Sequence, residues 1–187
     1  MTPGASPSCG SLLFADVRRA RELASGVPCR DGTLRLLMGT LSPRTMPVTL
    51  WRTTSWCARH GLRPMARVVS LVNFVVFGIE IALDCDIGAG LYLPHTQGTV
   101  IGAWRLGRNV TVYQGVTLGA KELDFSFDGS RRPVVEDDVT IGAGAKVLGP
   151  VTLRFGSRVG ANAVVLEDVP EGALAVGVPA RIAGRPR

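Results

Sequence analysis

A six-residue beat constrains this chain more than any other feature. Val135, Ile141, Val147, Leu153, Val159 and Val165 follow one another at intervals of six. Four residues after each comes a second register: Val139, Ala145, Val151, Ser157, Ala163 and Val169. These are all small or β-branched. A helix repeats near 3.6 residues and a strand near 2, so neither sustains a period of six. A hexapeptide β-helix does. Each hexad is then one short strand plus a turn, and successive hexads close triangular coils. The large aliphatic fills the interior and the small residue fits the tight corner beside it. The predicted fold class is mainly β: a left-handed parallel β-helix preceded by a short α-helical region.

The beat does not run unbroken. Ile81, Ile87 and Leu93 keep it, with Cys85 and Leu91 in the second register. It then slips and resumes in a new phase at Leu106, Val112 and Leu118. It breaks again over 119–133 before the clean run to Val169. Regular coils only bury core, whereas interruptions extrude loops, and loops carry function. The first break holds Pro94-His95-Thr96-Gln97-Gly98. The second holds Lys121, Glu122, Asp124, Asp128, Arg131 and Arg132. The division expected is a flexible N-terminus over 1–10, a helical region over 11–77 and the coil over 78–184. In the helical region Leu12, Leu13, Val17, Ala20 and Leu23 predict an apolar stripe. Further helices are predicted over Thr33–Leu41, Leu50–Ala58 and Pro64–Phe77. The stretch Gly172–Gly184 is read as a cap on the open end of the coil.

Composition narrows the function classes. The chain has 187 residues, 46% of them hydrophobic and 19% charged, enough for one or two domains with a real core. The 23 glycines suit a fold made of turns. The net charge of +6 favours an anionic partner. No dense Lys/Arg run or recognition motif argues for nucleic acid, and a phosphate-bearing cofactor benefits equally from the field. Cys9, Cys29, Cys57 and Cys85 form no Cys-x-x-Cys pair, which argues against zinc and for free thiols in a reducing, cytoplasmic setting. The N-terminus does not read as a secretory signal. The most apolar window, Val68–Leu83, is too short for a membrane span and is read as a buried helix leading into a strand.

The chain has only two histidines, His60 and His95. A zinc hydratase on such a coil needs about three imidazoles, so no metal is expected. His60 sits at a predicted helix end, where a cation is favoured by the helix dipole. His95 sits at the slip itself and titrates near neutral pH, which suits a general base.

Several segments in their order then resemble one family. They are Gly78-Ile79-Glu80-Ile81, Leu93 to Gly102, Tyr113-Gln114-Gly115-Val116-Thr117-Leu118-Gly119, Ile141 to Gly149, and Gly177-Val178-Pro179-Ala180-Arg181-Ile182. Together they resemble the bacterial serine O-acetyltransferases, which are left-handed β-helix acyltransferases. The resemblance covers about residues 65–184. It implies acetyl-CoA as co-substrate and His95 as the base that deprotonates an acceptor hydroxyl. Glu80, fifteen residues earlier, stands where the family has an aspartate that orients the imidazole. Backbone N–H groups near Gly119 and Ala120 would face the oxyanion. Ala143 and Ala161 would contact the pantetheine arm, with Lys146 and Arg181 near the cofactor phosphates. Pro94, Gln114, Arg131 and Arg132 would form the acceptor side.

The departures from the family concern that acceptor side. Pro94 replaces an aspartate that helps hold the serine amino group. Arg131-Arg132-Pro133 replaces Arg-His-Pro, keeping one carboxylate partner and adding a second guanidinium fork. The loop before it is also longer. The leading acceptor is L-serine or a serine-like hydroxy compound. Its rivals are a sugar or specialised-metabolite hydroxyl and, in another class, a non-catalytic trimeric scaffold. The resemblance places the active site between neighbouring coils, and the short helical region favours a homotrimer over the family's hexamer. The family's sulfhydrylase-docking tail has no counterpart in Ala183-Gly184-Arg185-Pro186-Arg187, so that complex is not expected.

Overall fold

The computed structural model describes residues 8–124 and 126–183. The expected loose N-terminus over 1–10 falls mostly outside them, as do the last four residues, 184–187. Ser8 already caps the first helix, its side chain accepting the Ser11 N–H, so Cys9 and Gly10 are helical.

Four helices come first: α1 Cys9–Ser25, α2 Thr33–Gly39, α3 Met46–Arg59 and α4 Arg63–Phe77. Prolines open α3 and α4, because Pro47 and Pro64 lack only an N–H that the first turn leaves unpaired anyway. This starts α3 four residues before the predicted Leu50. The α1 stripe differs from expectation. Asp16, Val17 and Ala20 are its buried residues, while Leu23 is 53% exposed. The reason is that α1 rests on coil backbone, which needs a polar partner. Only Ala66 and Asn73 are buried in α4, and Val68, Leu71, Phe74, Val75 and Val76 face outward. The apolar window is therefore a helix leading into a strand, as read, but one whose outer face is uncovered in the single chain. No described helix is long and apolar enough to cross a membrane.

At Gly78 the chain passes into a left-handed parallel β-helix. Its first face stacks β1 Ile79–Ile81, β3 Thr99–Ile101, β6 Thr117–Gly119, β9 Lys146–Leu148 and β12 Val164–Val165. The second stacks β2 Asp86–Ile87, β4 Arg105–Leu106, β7 Val134–Val135 and β10 Thr152–Leu153. The third stacks β5 Thr111–Val112, β8 Thr140–Ile141, β11 Arg158–Val159 and β13 Leu174–Val176. There β14 Arg181–Ile182 folds back antiparallel on β13 and closes the end.

The register measures each interruption. In the regular coils stacked residues lie 18 apart, as in Val147 on Val165 and Val135 on Leu153. Across the first break Ile81 stacks on Ile101, a spacing of 20. Across the second, Leu106 stacks on Val135, a spacing of 29. The first break therefore adds two residues and the second eleven. Ile101 is an interior position that the six-residue beat does not predict, because the chain also drops one residue between Ile101 and Leu106. Both registers of the beat are buried from Val135 to Val169. Each buried Leu, Ile or Val contributes about 1.5–3 kcal/mol, which makes the interior column the main source of cohesion.

Candidate active site

The first break opens where the chain leaves the third face and enters the first. Its anchors lie in the residues that lead into β1. Thr96 Oγ1 donates to the Phe77 carbonyl at 2.7 Å, and the Gly98 N–H donates to the Gly78 carbonyl at 2.9 Å. Glu80 follows two residues later at the centre of β1. Ile79 and Ile81 point inward, so strand alternation turns Glu80 outward beside Val100. His95 is exposed at the crest of the slip and Pro94 is half-buried before it. Neither the His95 ring nor the Glu80 carboxylate makes a hydrogen bond among the described residues. His60, by contrast, ends α3, stacks on Trp56 and holds its carbonyl at 2.8 Å, a structural role.

The same corner recurs in the coils below. Gly98, Gly115, Gly144 and Asn162 stack there with φ of +71°, +69°, +73° and +57°. Left-handed backbone is cheap for glycine and tolerable for asparagine, which explains those residue types. The residues just before them form a second column: Gln97, Gln114, Ala143 and Ala161. The Gly115, Gly144 and Asn162 N–H groups bond the carbonyls of Gln97, Gln114 and Ala143 at 3.0, 2.8 and 2.8 Å. Among the described residues the N–H groups of Ala143 and Ala161 take no backbone acceptor. Gln114 Oε1 is buried without a partner. The structure thus brings Gln114, Ala143 and Ala161 into one line beneath the His95 slip.

Lys146 lies elsewhere, on the outer surface of the first face. Its ammonium donates to the Gly115 carbonyl at 2.6 Å and to Thr117 Oγ1 at 3.1 Å. In the single chain two of its three donors are thus directed to the coil. Arg181 is exposed in β14 and, among the described residues, donates only to the Ala180 carbonyl.

The second break leaves at Gly119 and Ala120, at the opposite edge of the first face. It folds back over the coil corner at Gly102–Trp104. Its two arginines divide the work. Arg131 points outward, 44% exposed, with Nη2 3.0 Å from Glu122 Oε2. Arg132 points inward. Its Nε donates to Asp124 Oδ2 at 2.7 Å, Nη2 to the Asp124 carbonyl at 3.1 Å, and Nη1 to the Gly102 carbonyl at 2.7 Å. The guanidinium also lies 4.1 Å above the Phe127 ring. In the single chain Arg132, expected as a second fork for an acceptor, holds the loop to Asp124 and Gly102.

Asp124 is the centre of that loop, with its side chain 1% exposed. Burial would raise its pKa, but hydrogen bonds from Ser126, Arg132 and the Asp128 N–H together hold it below the ordinary carboxylate value. Asp128 is likewise held low, chiefly by the Ser130 side chain and N–H. Gly129 sits where a Cβ would lie 2.5 Å from the Trp104 ring. Sequence reading passed over Asp124, Phe127, Gly129 and Trp104 as anchors. A signal was available, since Asp124-x-Ser126 and Asp128-x-Ser130 are two successive Asx-turn patterns.

A family model described as the hexapeptide repeat of succinyl-transferase matches residues 134–167. The chain is 39% identical over 176 residues to a serine acetyltransferase of Mycobacterium tuberculosis, covering 94% of this chain and 73% of that protein. It is 44% identical over 119 residues to that of Bacillus subtilis, covering 63% of this chain and 54% of the relative. It thus spans only about half the length of the Bacillus protein. Among solved structures, serine acetyltransferase of Neisseria gonorrhoeae superposes with a TM-score of 0.80 at 30% identity, over 95% of this chain and 66% of that one. Related serine acetyltransferase structures, one in complex with serine and one with CoA, superpose at 0.77 and 0.71.

Proposed function

Because the chain belongs to the serine acetyltransferase family, we propose that it transfers the acetyl group of acetyl-CoA to the hydroxyl of L-serine or a serine-like small molecule. The carrying observation is the slip itself. It exposes His95 on a loop pinned to Phe77 and Gly78, directly before Glu80, and above a corner lined by Gln114, Ala143 and Ala161. Solved relatives hold serine and CoA, the two ligands this reading requires.

In the proposed mechanism, the His95 imidazole accepts the acceptor's hydroxyl proton as that oxygen attacks the thioester carbonyl carbon. The new C–O bond forms and the carbonyl oxygen becomes an oxyanion beside the backbone of Gly119 and Ala120. Collapse breaks the C–S bond, and the imidazolium returns its proton to the departing CoA thiolate. Glu80 orients the ring and stabilises its cationic form. The pantetheine arm runs along Ala143 and Ala161, with Arg181 toward the phosphates. Lys146 is left out of this assignment.

The acceptor is placed between Pro94, Gln114 and Arg131. Arg131 remains the cation for an acceptor carboxylate, while Arg132 acts by holding the loop that carries it. The two breaks open at opposite edges of the first face. A three-residue strand spans roughly 10 Å between them. We assign the complete site to the junction of neighbouring copies in a homotrimer, where one chain's loop meets another's His95. Four unpaired thiols support a reducing, cytoplasmic setting for it.

Pro94 supports a second reading of the acceptor, because the position directly before His95 carries no carboxylate to bind an ammonium. A sugar or other hydroxyl without a free amine then fits. The test is release of CoA thiol from acetyl-CoA with serine and with a panel of sugars. Turnover on serine supports the first reading; turnover confined to sugars replaces it with the second. Absence of turnover on every acceptor removes both.

A further inference from the structure

The helical region carries one buried ion pair that the mechanism does not use. Asp16 of α1 and Arg52 of α3 are each 3% exposed, with Nε 2.8 Å from Oδ2 and Nη2 3.1 Å from Oδ1. A buried pair alone is weak evidence for stability, since apolar residues of similar volume often do as well. This pair has a further duty that apolar residues could not perform. Arg52 Nη1 donates to the Ile87 carbonyl at 2.7 Å and Nη2 to the Gly88 carbonyl at 2.5 Å. Asp16 Oδ1 accepts the Gly90 and Leu91 N–H groups at 2.8 and 2.9 Å. Two side chains therefore satisfy four backbone groups within Ile87–Leu91.

That stretch is the last run of the first coil before Pro94 and His95. Beyond the slip, Thr96 is tied to the Phe77 carbonyl at the end of α4. Helices thus grip the chain four residues before His95 and one residue after it. The slip holds two residues more than a coil requires, so it has no strand ladder of its own to fix it. We propose that Asp16 and Arg52 are positioning residues for His95, setting where the slip begins and hence where the imidazole stands. Neither touches substrate. The proposal rests on the reading of His95 as the base.

Arg52→Lys tests it. Lysine keeps the charge but loses the planar fork that spans carboxylate and both carbonyls. The expected result is a folded protein whose kcat falls about ten- to a hundredfold while KM for acetyl-CoA stays unchanged. A second readout needs no activity. With two histidines in the chain, NMR of the ring Cε1–H groups gives two signals, and His60→Gln assigns them. The His95 signal should broaden or double in Arg52→Lys. Wild-type kcat with an unaltered His95 signal overturns the proposal. If Arg52→Lys does not fold, Asp16→Asn decides. It is isosteric and keeps an oxygen for Gly90 and Leu91, so a smaller loss of kcat is expected, and wild-type kcat with an unaltered signal overturns the proposal. Arg108→Ala, which removes an exposed pair with Asp137, serves as the control without effect. Should His95→Ala retain turnover, the base assignment fails, yet the NMR signal still reports whether the pair holds the slip.

Discussion

The two interruptions of the coil are held in opposite ways. The first adds two residues and borrows most of its restraints from outside itself: Phe77 and Gly78 at the head of the coil, Asp16 and Arg52 in the helices. The second adds eleven and supplies most of its own, through Asp124, Asp128, Arg132 and Phe127. The difference follows from length. A two-residue insertion has too few side chains to build a network, so its geometry is set by neighbouring elements. An eleven-residue loop can bury a carboxylate against a guanidinium and satisfy its own backbone. The short break is therefore suited to presenting one group at a fixed point, and the long one can change its contents without disturbing the coil.

The largest predicted effect separates chemistry from architecture. His95→Ala should lower turnover by about 10²–10⁴-fold with no change in melting temperature, because the side chain is exposed and makes no described bond. Near-wild-type turnover would show that the first break presents nothing catalytic. The regular coil should respond in the opposite sense. Leu153→Ala removes a fully buried interior side chain and should cost about 2–5 kcal/mol in denaturant unfolding, with turnover per folded molecule unchanged.

Breaking the second loop from within should give a smaller and different effect. Arg132→Ala frees Asp124 and the Gly102 carbonyl, and should raise the acceptor KM about tenfold through displacement of Arg131, with acetyl-CoA KM unaltered. An unchanged acceptor KM would divorce the loop from the acceptor site. The smallest effect is that of pH. The Asp124 pKa is lowered on folding, so its contribution is complete above the ordinary carboxylate value and is lost as pH falls through the lower folded value. The loop should stay closed through neutral pH and open only below about pH 4. The Trp104 indole signal, followed by NMR, would report it, while the first break should show no matching transition.

The legibility of the fold varied with how local its cause was. The interior positions from Val135 to Val169 were readable because each strand repeats one spacing and buries one side chain. Ile101 was not, since a two-residue gain followed by a one-residue loss defeats any fixed period. The predicted α1 stripe fails at Leu23 because the helix packs on backbone, and a polar Asp16 takes a buried place that an apolar pattern gives to leucine. Arg132 read as a ligand-binding fork because charge in a loop carries no direction. Only its distances to Asp124 and Gly102 show that it turns inward.

By itself, the amino-acid sequence determined the coil, its two breaks and the family to which both belong. Those depend on periodicity and on ordered motifs, which are properties of neighbours along the chain. The tertiary structure alone decided which polar groups are free and which are spent. It tied Lys146 to Gly115, Arg132 to Asp124 and Asp16 to the backbone before His95. Hydrogen-bond partners separated by up to 92 positions are set by how faces and helices pack, and no spacing in the sequence encodes them.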